Sequence, residues 1–153
     1  MRNRGFTLFV AMVVMGTLLL IAAGVVNLAV RQAFISASGR ESQHAFYAAD
    51  TGIECALYWD VQKNAFATST GSPIFCNKDA NNSSNQWVVG GGGDINPTSV
   101  FTFYFLPDSF CATVSVKKQY VSSVLKTTIE SKGYNTCSLS NPRRVERAIR
   151  ATY

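Results

Sequence analysis

A hydrolase built on this chain would have to use His44, its only histidine. His44 lies between Gln43 and Ala45 in a stretch with helical spacing, and no G-x-S-x-G nucleophile turn occurs anywhere. It therefore reads as a surface or subunit-contact residue. The run Gly90-Gly91-Gly92-Gly93 is followed by Asp94-Ile95-Asn96 and not by the Gly-Lys-Ser/Thr that a phosphate loop requires, so it reads as a turn. Asn77, Asp79, Asn81 and Ser83 alternate like the start of a calcium loop. Asn82, however, stands where that loop needs glycine, and Val88 where it needs a closing carboxylate. The segment reads as a solvated, Asn-rich loop that also carries N-x-S glycan acceptors at Asn81 and Asn82. No catalytic residue, metal ligand or cofactor is assigned.

The four cysteines, Cys55, Cys76, Cys111 and Cys137, form no C-x-x-C pair, and a single histidine makes a zinc site a poor reading. An even number in a small domain points to two disulfides formed in an oxidising compartment. Three pairings exist, and the strand arrangement below favours Cys55–Cys76 and Cys111–Cys137. Near the end, Arg143, Arg144, Arg147 and Arg150 surround one acid, Glu146. With Glu146 they sum to +3, equal to what remains of the formal net charge of +5 once the N-terminal Arg2 and Arg4 are set aside. They read as a solubilising strand face, with DNA phosphate as an open alternative partner.

The elements that must position these residues begin with a helix. Of 153 residues, 47% are hydrophobic, and Phe6 to Val30 is an uncharged apolar run. At the helical rise this run is roughly 37 Å long, enough to cross a hydrocarbon core of about 30 Å. Arg31 ends the run, but no proline occurs before Pro73 to end the helix. Phe46, Ala49, Ile53, Ala56 and Leu57 continue at helical spacing. One helix from about Thr7 to about Trp59 is expected, its second half packing one face on a small domain.

Residues 62–100, rich in Ser, Thr, Asn and Gly, read as a loop region with one short strand at Trp87-Val88-Val89. Val100 to Leu106 is a β-branched and aromatic strand ended by Pro107-Asp108. Cys111 to Lys117 alternates, and Ser123 to Tyr134 is a second strand region, the two joined by a turn at Gln119 to Ser122. In that hairpin Cys111 lies opposite the end that leads to Cys137. Val145 to Ala151 alternates as a last strand. A long helix followed by an antiparallel sheet of about four strands is an α+β fold.

The N-terminus admits three readings. A cleaved Sec signal would be cut near Ala22-Ala23-Gly24, but the apolar run continues past that point. A plain signal anchor would carry a membrane-tethered adhesion or ligand-binding module. The third rests on Arg4-Gly5-Phe6-Thr7-Leu8, which resembles the leader of type IV prepilins. A second block, Gln43 to Ala56, resembles the stretch closing the N-terminal region of PilX-type minor pilins, with Ala45, Ala48, Ala49, Asp50 and Gly52 on the matching positions. The resemblance covers about the first 60 residues. It implies cleavage by prepilin peptidase between Gly5 and Phe6, and methylation of Phe6. The glutamate usual at the fifth mature position is Val10 here, as in PilX-type minor pilins and GspK-type pseudopilins.

The expected organisation is then a leader at 1–5, a membrane and filament-core helix at 6–30, its amphipathic continuation at 31–60 and a head at 61–153. The resemblance implies a structural subunit of a pilus or secretion filament and not an enzyme. Its partners would be other pilin and minor pilin subunits, the peptidase and the inner membrane, with a surface ligand or DNA as further candidates. The basic leader would stay cytoplasmic, and the head would end outside the cell.

Overall fold

The computed structural model describes residues 4–67, 71–76, 86–90, 98–105 and 109–153. The Asn-rich segment with its calcium-like and glycan motifs, the residues Gly91 to Gly93, and Pro107-Asp108 lie outside the described residues. By internal contacts the chain divides into two units, Met1–Gly39 and Arg40–Tyr153.

Helix α1 runs from Arg4 to Leu57 and is followed by a π-helical turn, Tyr58–Gln62. The turn closes on Asn64, whose φ of 49° is in the left-handed region that asparagine tolerates. The amides of Asn64 and Ala65 then donate to the carbonyls of Asp60 and Trp59 at 3.0 and 2.9 Å, satisfying the helix end.

Two antiparallel sheets follow. β1 (Gly71–Phe75) pairs with β2 (Gln86–Gly90) in a two-stranded ribbon, where Pro73 opposes Val88. Composition predicts only β2 here. Pro73 hides β1 in the sequence, because a proline cannot donate to the ladder and is tolerated only in such edge positions. β3 (Thr98–Tyr104), β4 (Cys111–Val121), β5 (Val124–Tyr134) and β6 (Glu146–Thr152) form a four-stranded meander in chain order. The β4–β5 turn lies further along than the expected Gln119 to Ser122. Val121 pairs with Val124 across a two-residue turn in which Ser122 and Ser123 have φ of 51° and 67°. Both central residues at positive φ are the signature of a type I′ hairpin, made here without the usual Asn-Gly.

Within Arg40–Tyr153 the core lies between α1 and one face of the meander. Ala112, Val114 and Val116 of β4, Ile129 of β5, and Phe101 and Phe103 of β3 are buried with Ala48, Ile53 and Ala56 of α1. Phe66, Ile74 and Val89 extend this cluster toward the small ribbon. Trp87 contacts the rings of Phe101 and Phe103 at 5.3 and 6.2 Å, joining the two sheets by aromatic packing.

The helix approaches the sheet closely, and two glycines make this possible. A Cβ on Gly133 would collide with the backbone of Ala45 and Ala49, and one on Gly52 with the side chains of Ser131 and Val114. The buried helix face is accordingly Ala45, Ala48, Ala49, Gly52, Ile53 and Ala56. The apolar spacing predicts Phe46 in this stripe, but Phe46 is 48% exposed. The seam has no room for a large ring, so the interface rotates onto the small residues.

Candidate functional site

The first unit consists of helix, and its large apolar side chains face outward. Phe6 is 72% exposed, and Leu8, Phe9, Met12, Leu19, Leu20, Val26, Phe34 and Ile35 are exposed with it. Among the described residues, one helix is long and apolar enough to cross a membrane, and none of its most apolar stretch is buried. Such a surface needs lipid or other helices around it. The Thr17 hydroxyl along it is satisfied within the helix, donating to the Val14 carbonyl at 2.9 Å, as an apolar surrounding demands. Gly5 and Phe6 lie in the first turns of this helix, and Val10 one turn further on. No acidic residue stands in the first turn.

In the second unit, the helix residues following Gly39 are fixed to the sheet by polar contacts as well as by the small-residue seam. Asn135 is the hub. Its side-chain amide donates to Glu41 Oε2 at 2.7 Å and to the Arg143 carbonyl at 3.0 Å, while its oxygen accepts from the Val145 amide at 2.6 Å. It thus holds the β5–β6 connection and the helix at once. Arg147 Nε donates to Ser42 Oγ at 2.8 Å. His44 stacks on Phe110 with ring centroids 5.6 Å apart. Among the described residues no cluster of His, Cys, Asp or Glu could hold a metal.

Cys55 of α1 is bonded to Cys76 after β1, with Cα atoms 5.8 Å apart. Cys111, which opens β4, is bonded to Cys137 after β5, with Cα atoms 5.7 Å apart. The first bond ties the helix to the ribbon; the second closes the open end of the β4–β5 hairpin, where Cys111 pairs with Tyr134.

The C-terminal arginines do not form one free basic face. Arg144 lies over the Tyr134 ring, 3.7 Å from its centroid, and its Nε donates to the Thr136 carbonyl. Arg147 is engaged with Ser42. Arg150 remains exposed on β6. On the same sheet Lys132 lies between Glu146 and Glu130, whose charges, Glu146 first, raise its pKa. Burial, then a hydrogen bond to Glu146, pushes the Tyr134 phenol up.

A buried polar cluster at the end of α1 was not visible as a unit in the sequence. Lys118 Nζ lies 2.6 Å from Asp60 Oδ1, and the Tyr153 hydroxyl donates to Asp60 Oδ2 at 2.6 Å. Burial, followed by the Asp60 hydrogen bond, holds the Tyr153 phenol far above its ordinary range. Half of the Tyr153 surface is exposed, but its hydroxyl end reaches the enclosed carboxylate. The available signal was Lys118 itself: it follows Ala112, Val114 and Val116 on the inward alternation of β4, where a charge needs a partner.

Residues 4–54 match the family model described as PilX N-terminal, which covers α1 nearly to its end. Over this segment, a third of the chain, it is similar to the PilX-type, type IV pilin-like proteins. No curated protein and no solved structure matches the chain. The family is one of pilus structural subunits, and the exposed apolar helix, one such helix among the described residues, fits a membrane-anchored pilus subunit.

Proposed function

We propose that the chain is a minor pilin of a type IV pilus or related secretion filament, cut by prepilin peptidase between Gly5 and Phe6, methylated on Phe6, and priming assembly at or near the filament tip. Residues 1–5 are the leader, 6–30 the membrane and filament-core helix, 31–60 its continuation and 61–153 the head. Before assembly the helix spans the inner membrane with its N-terminus cytoplasmic. On assembly it moves from lipid into a bundle of like helices, a transfer between media of similar polarity that close packing drives. The head then lies outside the cell among other pilin subunits.

The observation that carries this reading is Val10, exposed on an apolar helix one turn beyond the leader junction. An ordinary pilin brings a carboxylate at this position to pair with the N-terminal amine of the subunit above it. A carboxylate without that amine would leave a charge unpaired in an apolar site, at a cost of several kcal/mol. Val10 carries no such requirement. Its subunit loses nothing by having no neighbour above, and its own Phe6 amine still receives the carboxylate of the subunit below. The first or tip position suits it better than the repeated shaft.

Two measurements test the proposal. Mass spectrometry of the protein from its native host should find a methylated N-terminus at Phe6; retention of Met1, or a cut near Gly24, refutes the processing. Immunogold labelling of the head on intact filaments should mark ends, with fewer filaments after deletion; dense label along the shaft refutes the tip assignment.

A further inference from the structure

The buried cluster at the end of α1 is not used in the assembly proposed above. The Lys118 and Asp60 side chains are only 8% and 3% exposed, whereas the other ion pairs among the described residues, Lys132 with Glu130 and Glu146, are exposed. Lys118 pairs across the hairpin with buried Thr127, and Val116 and Ile129, both fully enclosed, are the next pair on the same face. Tyr153 is bound to Thr127 by two backbone hydrogen bonds of 2.8 and 3.0 Å, which fix the phenol over Asp60.

We propose that Lys118 and Asp60 condense into an intramolecular isopeptide bond, Lys118 Nζ to Asp60 Cγ, with Tyr153 as the catalytic hydrogen-bond donor.

The physical argument starts from desolvation. Holding an ammonium and a carboxylate away from water costs several kcal/mol per ion. Proton transfer from Lys118 to Asp60 Oδ1 removes both charges. It leaves a neutral amine, which is a nucleophile, beside a carboxylic acid, which is an electrophile. The two are held in contact in a site closed to water, where intramolecular effective concentrations reach about 10⁵–10⁸ M. The nitrogen lone pair attacks Cγ. Charge develops on Oδ2, where the Tyr153 hydroxyl already donates. A proton passes from nitrogen to the Oδ1 hydroxyl, the Cγ–Oδ1 bond breaks, and one water leaves. The ammonium and carboxylate thus become one amide and one water, with no oxidant or outside reactant. The phenol stays protonated throughout, in keeping with its raised pKa. The product would join the end of α1 covalently to β4, so that a pull along the helix is carried into the sheet by a bond that thiols cannot reduce.

The test is the intact mass of the full-length chain, purified in detergent and fully reduced. The expected mass is one water below that calculated for the same N-terminus and methylation state. Digestion should yield a branched peptide containing both Asp60 and Lys118, with no tryptic cut at Lys118 after denaturation. Asp60→Asn keeps the shape of the site and should lose one ammonia instead of one water. Lys118→Arg should show no loss. Tyr153→Phe leaves the pair in place and should form the bond about a hundredfold more slowly, the usual cost of removing one oxyanion donor. A wild-type chain of unaltered mass, with Lys118 cut by trypsin and open to an amine reagent once denatured, overturns the proposal.

Discussion

Gly133→Ala gives the most direct test of how the helix is seated. The added methyl would fall on the Ala45 carbonyl oxygen and the Ala49 nitrogen, which are backbone atoms of a buried helix and cannot rotate away. Either α1 lifts from β5 or β5 bends, and both movements open the seam around Ala45, Ala48 and Ala49, all fully enclosed. Overpacking a core costs typically 1–3 kcal/mol, and an obstacle made of backbone places this change at the upper end, about 3 kcal/mol. Alanine is the better residue in a strand by a few tenths of a kcal/mol, far too little to offset the collision. At 1.4 kcal/mol per decade, the folding equilibrium should fall about a hundredfold. The melting temperature of the head should drop by roughly 10 °C. The assay is thermal unfolding of the full chain in detergent, followed by the fluorescence of Trp59 and Trp87. Gly52→Ala should cost less, because the atoms it meets belong to the Ser131 and Val114 side chains. Gly39→Ala meets nothing within 4 Å and should leave head stability unchanged. A Gly133→Ala protein that melts within a degree or two of wild type would refute the close seam.

Further outcomes follow from the same structure. Replacing Ser122-Ser123 by Asn-Gly should stabilise the head by about 1 kcal/mol, since both serines sit at positive φ; urea titration would show it as a higher midpoint at unchanged slope. Removing the Cys55–Cys76 bond by a double Cys→Ser change should cost roughly 2–4 kcal/mol by the same titration. Asn135→Ala should cost about 1–2 kcal/mol, because it removes three hydrogen bonds made by a buried side chain and leaves the part-buried Val145 amide without its acceptor; a loss below 0.5 kcal/mol by thermal melting would argue against the hub. The Tyr153 phenol is raised above the ordinary phenol value of 10.0, so its contribution is complete below about pH 10 and declines as pH rises beyond it. Stability measured between pH 9 and 11 should therefore fall, and Tyr153→Phe should flatten the fall.

Long-period patterns made the α+β class legible. A run of apolar residues without proline could only be a helix, and Val100 to Leu106 or Cys111 to Lys117 could only be strands, because residue type and periodicity reflect the average surroundings of many positions at once. β1 is not legible in the sequence because Pro73 contradicts its strand character locally, and only pairing with β2 settles the segment. Of the stripe Phe46, Ala49, Ile53, Ala56 and Leu57, only Phe46 lies outside the seam, for a related reason. Phe46 is the more hydrophobic residue, yet the burial of Ala45 depends on how near β5 can come, which depends on Gly133, far away in the chain. Lys118, Asp60 and Tyr153 show the same division. Each is an ordinary residue in its own segment, and their chemistry arises only when the end of α1, the middle of β4 and the residue after β6 meet in a site that excludes water. What the sequence by itself determined is the membrane-length helix, its PilX-like N-terminal segment and the strand content, since these follow from local composition. The tertiary structure decided the glycine seam, the Asn135 clamp and the buried triad, since distances and solvent exclusion between remote residues are set by packing and leave no mark on any one stretch of chain.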